Sequence, residues 1–280
     1  MAFTTYNKVA SNNGSKHSLR LSSPLALIGR AVIDWIGDSG AVMIFLITAL
    51  MKIFRRGHIS KAAQQIYYIG AGSSTIILLV GLFTGMVLGL QSYYALVKFG
   101  SQGAIGTLVA LSLVRELGPV LTAIMITARA GSAITAEIGI QRISEQIDAL
   151  HTMHIDPMAY LVSPRITASI ISFPLLTAVF DLIGITGGFI SGVMLLGVNA
   201  GTYFHSVQAS LEMKDISDGF VKAIVFAAIV STVCSFHGYF AHMREDSHGA
   251  KAVGISTTSA VVVSCVLILL ADYVVTSLLV

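Results

Sequence analysis

Charge is what this sequence has least of. Only 11% of its 280 residues are Asp, Glu, Lys or Arg, against roughly 25% in soluble globular domains. The charges also leave long gaps, with none between Ala62 and Val97, Leu182 and Leu211, Ala223 and Met243, or Ala252 and Ala271. A helix crossing a bilayer needs about 20 such residues, so a soluble globular fold is excluded and an integral membrane protein is required. Cysteine is nearly absent too. Cys234 and Cys265 both lie in apolar segments and read as small buried hydrophobes. The first 23 residues are polar, with no short apolar core before a small-residue cleavage site, so the N-terminus does not read as a cleavable signal peptide. Catalytic signatures are missing as well: there is no GxxxxGK[ST] phosphate loop, no GxSxG elbow and no HExxH. His151 and His154 in "HTMHID" stand without a second ligand cluster, which argues against a metal site.

What the chain does have is apolar length. The pattern predicts an all-α membrane protein with five spans, at about 64–97, 100–128, 166–196, 219–243 and 255–279. Before them, "SSPLALIGRAVIDWIGDSGAVMIFLITALMKIFRR" starts with a serine cap and Pro24 in the first turn. Its uncharged run from Ser39 to Met51 is too short to cross. Lys8, Lys16, Arg20 and Arg30 precede it, and Lys52, Arg55, Arg56 and Lys61 follow it. Positive residues mark the cytoplasmic side, so this segment reads as an amphipathic helix lying in the cytoplasmic leaflet. Residues 1–60 then form a polar segment plus interfacial helix, and 61–280 a five-span domain. Arg129, Arg142, Arg165, Arg244 and Lys251 join the cytoplasmic set, against Lys98, Lys214 and Lys222 outside. That bias puts the N-terminus in the cytoplasm and the C-terminus across the membrane.

Two ladders, Gly81–Gly85–Gly89 and Gly184–Gly188–Gly192, each fall on one helix face, where a missing side chain admits another backbone. Packing within the chain is the plain reading, with a dimer contact or lipid lining as the alternative. Only one stretch between spans is long and charged. In "TAEIGIQRISEQIDALHTMHIDP" the residues Ile134, Ile138, Ile143, Ile147 and Leu150 keep near-helical spacing among Glu137, Arg142, Glu145 and Asp148. An amphipathic cytoplasmic helix over about 134–155 is expected. Its acidic excess suits a protein partner better than anionic headgroups.

The most informative stretch is "LVRELGPVLT". An ionisable residue inside a span costs roughly 2.5–3.5 kcal/mol on insertion scales and usually faces a bundle interior or wet cavity. Arg115 and Glu116 point about 100° apart on a helix, so each is expected to reach a different partner. Gly118 and Pro119 follow. Pro119 cannot donate to the carbonyl of Arg115, which leaves an acceptor free and predicts a kink. A polar, kinked point in mid-span suits a translocation path. A purely structural ion pair is the plainer reading.

"LVALSLVRELGPVLTAIMITARAGSAITAEIG", with "EQIDAL" and "DPMAYLVSPR", resembles the Mla-type (MlaE-like) permease family of bacterial phospholipid ABC transporters, over about residues 60–280. The resemblance implies a homodimeric, multi-pass permease of the bacterial inner membrane that moves phospholipid to or from a periplasmic lipid-carrier system. Its implied partners are an ABC ATPase subunit, which would hold ATP and Mg, a periplasmic MCE-domain lipid-binding protein and a STAS-domain protein. No cofactor in this chain and no nucleic acid are expected. By matching position, Leu88, Leu96, Phe99, Arg115 and Glu116 would line a lipid cavity. Glu137, Ile138, Arg142, Glu145 and Asp148 would lie on the helix that couples to the ATPase. The alternatives are a permease for sterols or other hydrophobic molecules, and, from another class, an intramembrane enzyme using Glu116, Asp181 or Asp272.

Overall fold

A computed structural model describes residues 24–52, 58–243 and 249–279. The polar residues 1–23 and the positive residues Arg55, Arg56 and Arg244 lie outside the described set. Among the described residues every regular element is a helix. We number them α1 (Pro24–Met51), α2 (Ser60–Val97), α3 (Gln102–Ile143), α4 (Gln146–Thr152), α5 (Met158–Leu195), α6 (Ala200–Ser210), α7 (Met213–Tyr239) and α8 (Ala250–Leu279). Five of these, α2, α3, α5, α7 and α8, are long and apolar enough to cross a membrane; Gly40–Met51 of α1 is a shorter apolar stretch.

The sequence-based spans need two corrections. The second span does not end near 128 but runs on to Ile143. Arg129 does not stop it, because its guanidinium donates to the Tyr68 carbonyl at 2.6 Å and lies 5.0 Å over the Tyr68 ring. The predicted amphipathic helix over 134–155 is therefore two elements: the end of α3 and the short α4. The break falls at Glu145, whose φ of 58° is left-handed. That conformation is uncommon for a residue with a side chain, so nothing in the residue type signals it.

The helices pack as two compact units. The first comprises Met1–His58, Gly131–Ile166 and Ser231–Val263. Phe45 of α1 meets Phe236 edge-on at 5.6 Å, Ser163 donates to the Ala49 carbonyl at 2.7 Å, and Lys52 pairs with Asp156 at 2.6 Å. Burial pushes the Asp156 carboxyl up, but the Lys52 ammonium and backbone donors outweigh it, and the group sits below its ordinary value.

The second unit comprises Ile59–Ala130, Thr167–Val230 and Ser264–Val280. Here the glycine ladders meet each other. A Cβ on Gly85 would overlap the Gly184 carbonyl, and one on Gly89 would overlap Ser191. The ladders are thus contacts within the chain, where α2 and α5 approach backbone to backbone. Tyr203 of α6 donates its hydroxyl to the Ile185 carbonyl at 2.9 Å, and burial pushes its phenol well above the ordinary value.

Candidate functional site

Arg115 and Glu116 sit in a π-helical turn, Leu113–Leu117, immediately before Gly118 and Pro119. A π-turn carries one more residue than an α-turn and is common at functional sites. Together with the missing N–H of Pro119 it releases the Arg115 carbonyl, which accepts from Lys222 Nζ at 2.8 Å. The free acceptor expected from the sequence is therefore answered by a lysine from α7. Gly118 has its own reason to lack a side chain: a Cβ there would collide with Asp181 Oδ1 and lie 2.8 Å from the Leu113 carbonyl.

The two charges diverge as their spacing predicts. Arg115 Nε donates to Asp215 Oδ1 at 2.7 Å, whereas Glu116 Oε2 accepts from Lys222 Nζ at 2.7 Å. Lys222 also lies 3.3 Å from Asp272 Oδ1, an ion pair without hydrogen-bond alignment. Thr276 donates weakly to Glu116 Oε1 at 3.4 Å. Two cations and three carboxylates thus form one network, centred on a lysine whose side chain is 3% exposed. Charges desolvated to this degree are tolerable only when paired and hydrogen-bonded. The network borders a polar cavity of about 250 Å³, which Glu212, Lys214 and Asp218 also line. Arg115 is the outlier, with its side chain 55% exposed and only Nε committed among the described residues. Its terminal nitrogens, which together carry four of its five donors, have no protein acceptor there.

The sequence reading missed most of this network. Charge counting puts Lys222 among the outer charges, although the fourth span predicted from residue 219 already contains it. The structure starts α7 at Met213 and buries Lys222. The signal was available: Asp215, Asp218 and Lys222 repeat at i, i+3 and i+7, one face of a helix. Asp272, weighed only as a catalytic carboxylate, is a partner of Lys222. In contrast, Leu88, Leu96 and Phe99 do not line the cavity that holds Arg115 and Glu116. Leu88 and Leu96 are half-buried on α2, and Phe99, beyond its end, is 80% exposed.

The residues predicted to couple to an ATPase lie in the first unit. Arg142 pairs with Asp148 of α4 at 2.6 Å, donates from Nε to His242 Nδ1 at 3.1 Å, and lies 5.7 Å over the Tyr239 ring. It thereby ties α4 to the end of α3 across the left-handed Glu145. These groups edge a cavity of about 280 Å³. His242 was not foreseen. Burial first, and the Arg142 charge second, hold its imidazole below the ordinary value. Of the other two, Glu137 keeps a 40% exposed side chain while pairing with the buried Arg165 at 2.9 Å, and Ile138 is fully buried against Gly238. Ile138 therefore anchors the helix in its own unit and presents no docking side chain.

The profile of the family described as "Permease MlaE" matches residues 62–278, a segment that holds every member of the Arg115 network. The chain belongs to the MlaE permease family. It is 39% identical over 257 residues to the intermembrane phospholipid transport system permease protein MlaE of Haemophilus influenzae, covering 91% of this chain and 97% of that one. It is 39% identical over 254 residues to a probable ABC transporter permease protein of Rickettsia typhi, covering 90% and 96%. It also matches the chloroplastic protein TRIGALACTOSYLDIACYLGLYCEROL 1 of Arabidopsis thaliana, with 36% identity over 220 residues, 79% of this chain and 61% of that one. As an MlaE-family permease with five apolar helices of spanning length, the protein is a multi-pass membrane protein of transport type.

Proposed function

We propose that this chain is the permease subunit of an ABC transporter that moves phospholipids between the inner membrane and a periplasmic lipid-carrier system, and that it catalyses nothing itself. Arg115 carries the reading. A half-exposed guanidinium with uncommitted terminal nitrogens, in a polar cavity walled by membrane helices, suits a lipid phosphate, to which arginine binds with paired charge-assisted hydrogen bonds. Asp215 and Lys222 hold Arg115 and Glu116 in place, and acyl chains lie against Leu88, Leu96 and Phe99 when two copies form the complete cavity. A sterol, with a single hydroxyl, leaves most of the four uncommitted Arg115 donors unanswered. The enzyme alternative loses Glu116 and Asp272, since both are bound to Lys222.

The working assembly is a homodimer with an ABC ATPase that holds ATP and Mg, a periplasmic MCE-domain protein and a STAS-domain protein on the ATPase. Docking falls to α4 and its surroundings, through Glu145, Asp148 and Arg142. The N-terminus is cytoplasmic and the C-terminus periplasmic, as the positive-residue bias supports. The test is purification of the complex from its membrane, with mass spectrometry of bound subunits and lipids, repeated for Arg115→Ala and Glu116→Ala. Both variants should assemble with the ATPase and lose lipid transport. Failure of both to assemble, with no phospholipid bound to the parent complex, makes the network a structural device and sinks the reading.

A further inference from the structure

Asp181, on α5, takes no part in the Arg115 network. Its Oδ1 is closed to solvent, and no donor among the described residues reaches it. The facing helix is cleared to admit it, because Gly118 could carry no Cβ without striking that oxygen. Beside the carboxyl lies a second cavity of about 230 Å³, separate from the polar one and walled by Val114, Leu182, Ile185, Ile216 and Phe220. The other polar side chain that lines it is spent: Thr177, one helical turn before Asp181, donates its hydroxyl to the Phe173 carbonyl at 3.0 Å. A buried carboxyl oxygen without a donor is costly, and an unanswered ionisable group in a span is by default a functional one.

Oδ1 itself packs on Gly118 and is closed to the cavity, so a ligand there meets Asp181, which lines the cavity, at the other carboxyl oxygen. Carboxylates accept hydrogen bonds, and a primary ammonium brings three donors and the opposite charge. The apolar walls exclude a hydrated inorganic ion and favour a cation borne on hydrocarbon. The volume falls below the roughly 300–1,000 Å³ of whole-ligand pockets, so only the head end fits. Leu182, at the rim, is 66% exposed and Leu175 is 60% exposed on the same helix, which gives a hydrocarbon tail an apolar surface outside. We infer that Asp181 is the anionic end of a binding site for a primary alkylammonium, whose tail leaves past Leu182. The ammonium belongs either to an aminophospholipid headgroup or to a single-chain lipophilic amine.

The test uses the full chain with its co-purifying partners in lipid nanodiscs and a photoactivatable octadecylammonium, with the matching octadecanol as control. Peptides containing Leu182 and Phe220 should be labelled at least about tenfold more by the ammonium than by the alcohol, a difference of about 1.4 kcal/mol. Asp181→Asn should bring the two probes level. Ile216→Trp, which fills the cavity and spares the carboxyl, should abolish labelling by both. It decides the matter if Asp181→Asn fails to assemble. Competition by phosphatidylethanolamine vesicles but not phosphatidylglycerol vesicles assigns the ammonium to a lipid headgroup. Competition by free octadecylamine alone assigns it to a single-chain amine. Equal labelling by ammonium and alcohol in the parent chain, or undiminished labelling in the variants that assemble, overturns the site.

Discussion

Lys222 and Arg142 each tie neighbouring elements together, Lys222 through two carboxylates and Arg142 through one carboxylate and an imidazole, but in different surroundings. The Lys222 side chain is 3% exposed, and it holds Glu116, Asp272 and a backbone carbonyl. Arg142 is 17% exposed, and the Asp148 it holds is 57% exposed. An enclosed pair loses hydration that its attraction must offset, so removing one member leaves an uncompensated charge. An open pair is screened by water and contributes little to stability either way. The first network therefore bears on whether the permease stands, and the second on what its surface can grip.

The sharpest way to break this contrast is Lys222→Leu. It strands two carboxylates and should cost about 3–5 kcal/mol, read as loss of thermal stability in the purified complex. Adding Glu116→Gln and Asp272→Asn should recover most of it, because the stranded charges are then gone. Next in size is Gly85→Ala, which alters no charge but drives a methyl group into the Gly184 carbonyl. Overpacking of this kind costs about 1–3 kcal/mol, measurable in the same melt. Reversing Glu145 and Asp148 to lysine should change stability by less than about 1 kcal/mol and still release the ATPase or uncouple its hydrolysis from transport. Unchanged ATPase retention and turnover would remove α4 from the coupling role.

The smallest effect concerns pH. The His242 imidazole lies below its ordinary value of 6.5, through burial first and Arg142 second. The unfolded chain then binds a proton more readily than the folded one. The stability tied to this group is present above 6.5 and declines as pH falls through 6.5 toward the folded value. Melting curves at pH 7.5 and pH 5.5 should differ by less in His242→Gln than in the parent chain. Equal differences would detach His242 from the Arg142 cluster.

Four of the spans were legible because hydrocarbon demands long uncharged runs, and the four gaps between charges supply them. Arg115 and Glu116 were legible for the same reason, as charges where none should be. Boundaries were not. Arg129 and Lys222 look like span ends in one dimension, yet each is neutralised or hydrogen-bonded by a residue distant in sequence. The left-handed Glu145 carries no glycine to announce it, so two elements read as one. Leu88, Leu96 and Phe99 rest on family resemblance, and the packing of a single chain does not assemble them with Arg115.

The π-turn at Leu113–Leu117 has a consequence for how the second span tolerates change in length. In an α-helix each residue advances the azimuth by about 100°, so deleting one residue swings every later side chain out of phase with its neighbours. A π-turn is an α-helix with one residue already in excess. Removing one there would absorb the deletion and leave the downstream face in phase, from Thr122 through Arg129 to Arg142. What such a shortened chain would forfeit is local: the slack in the backbone through which the Arg115 carbonyl reaches Lys222.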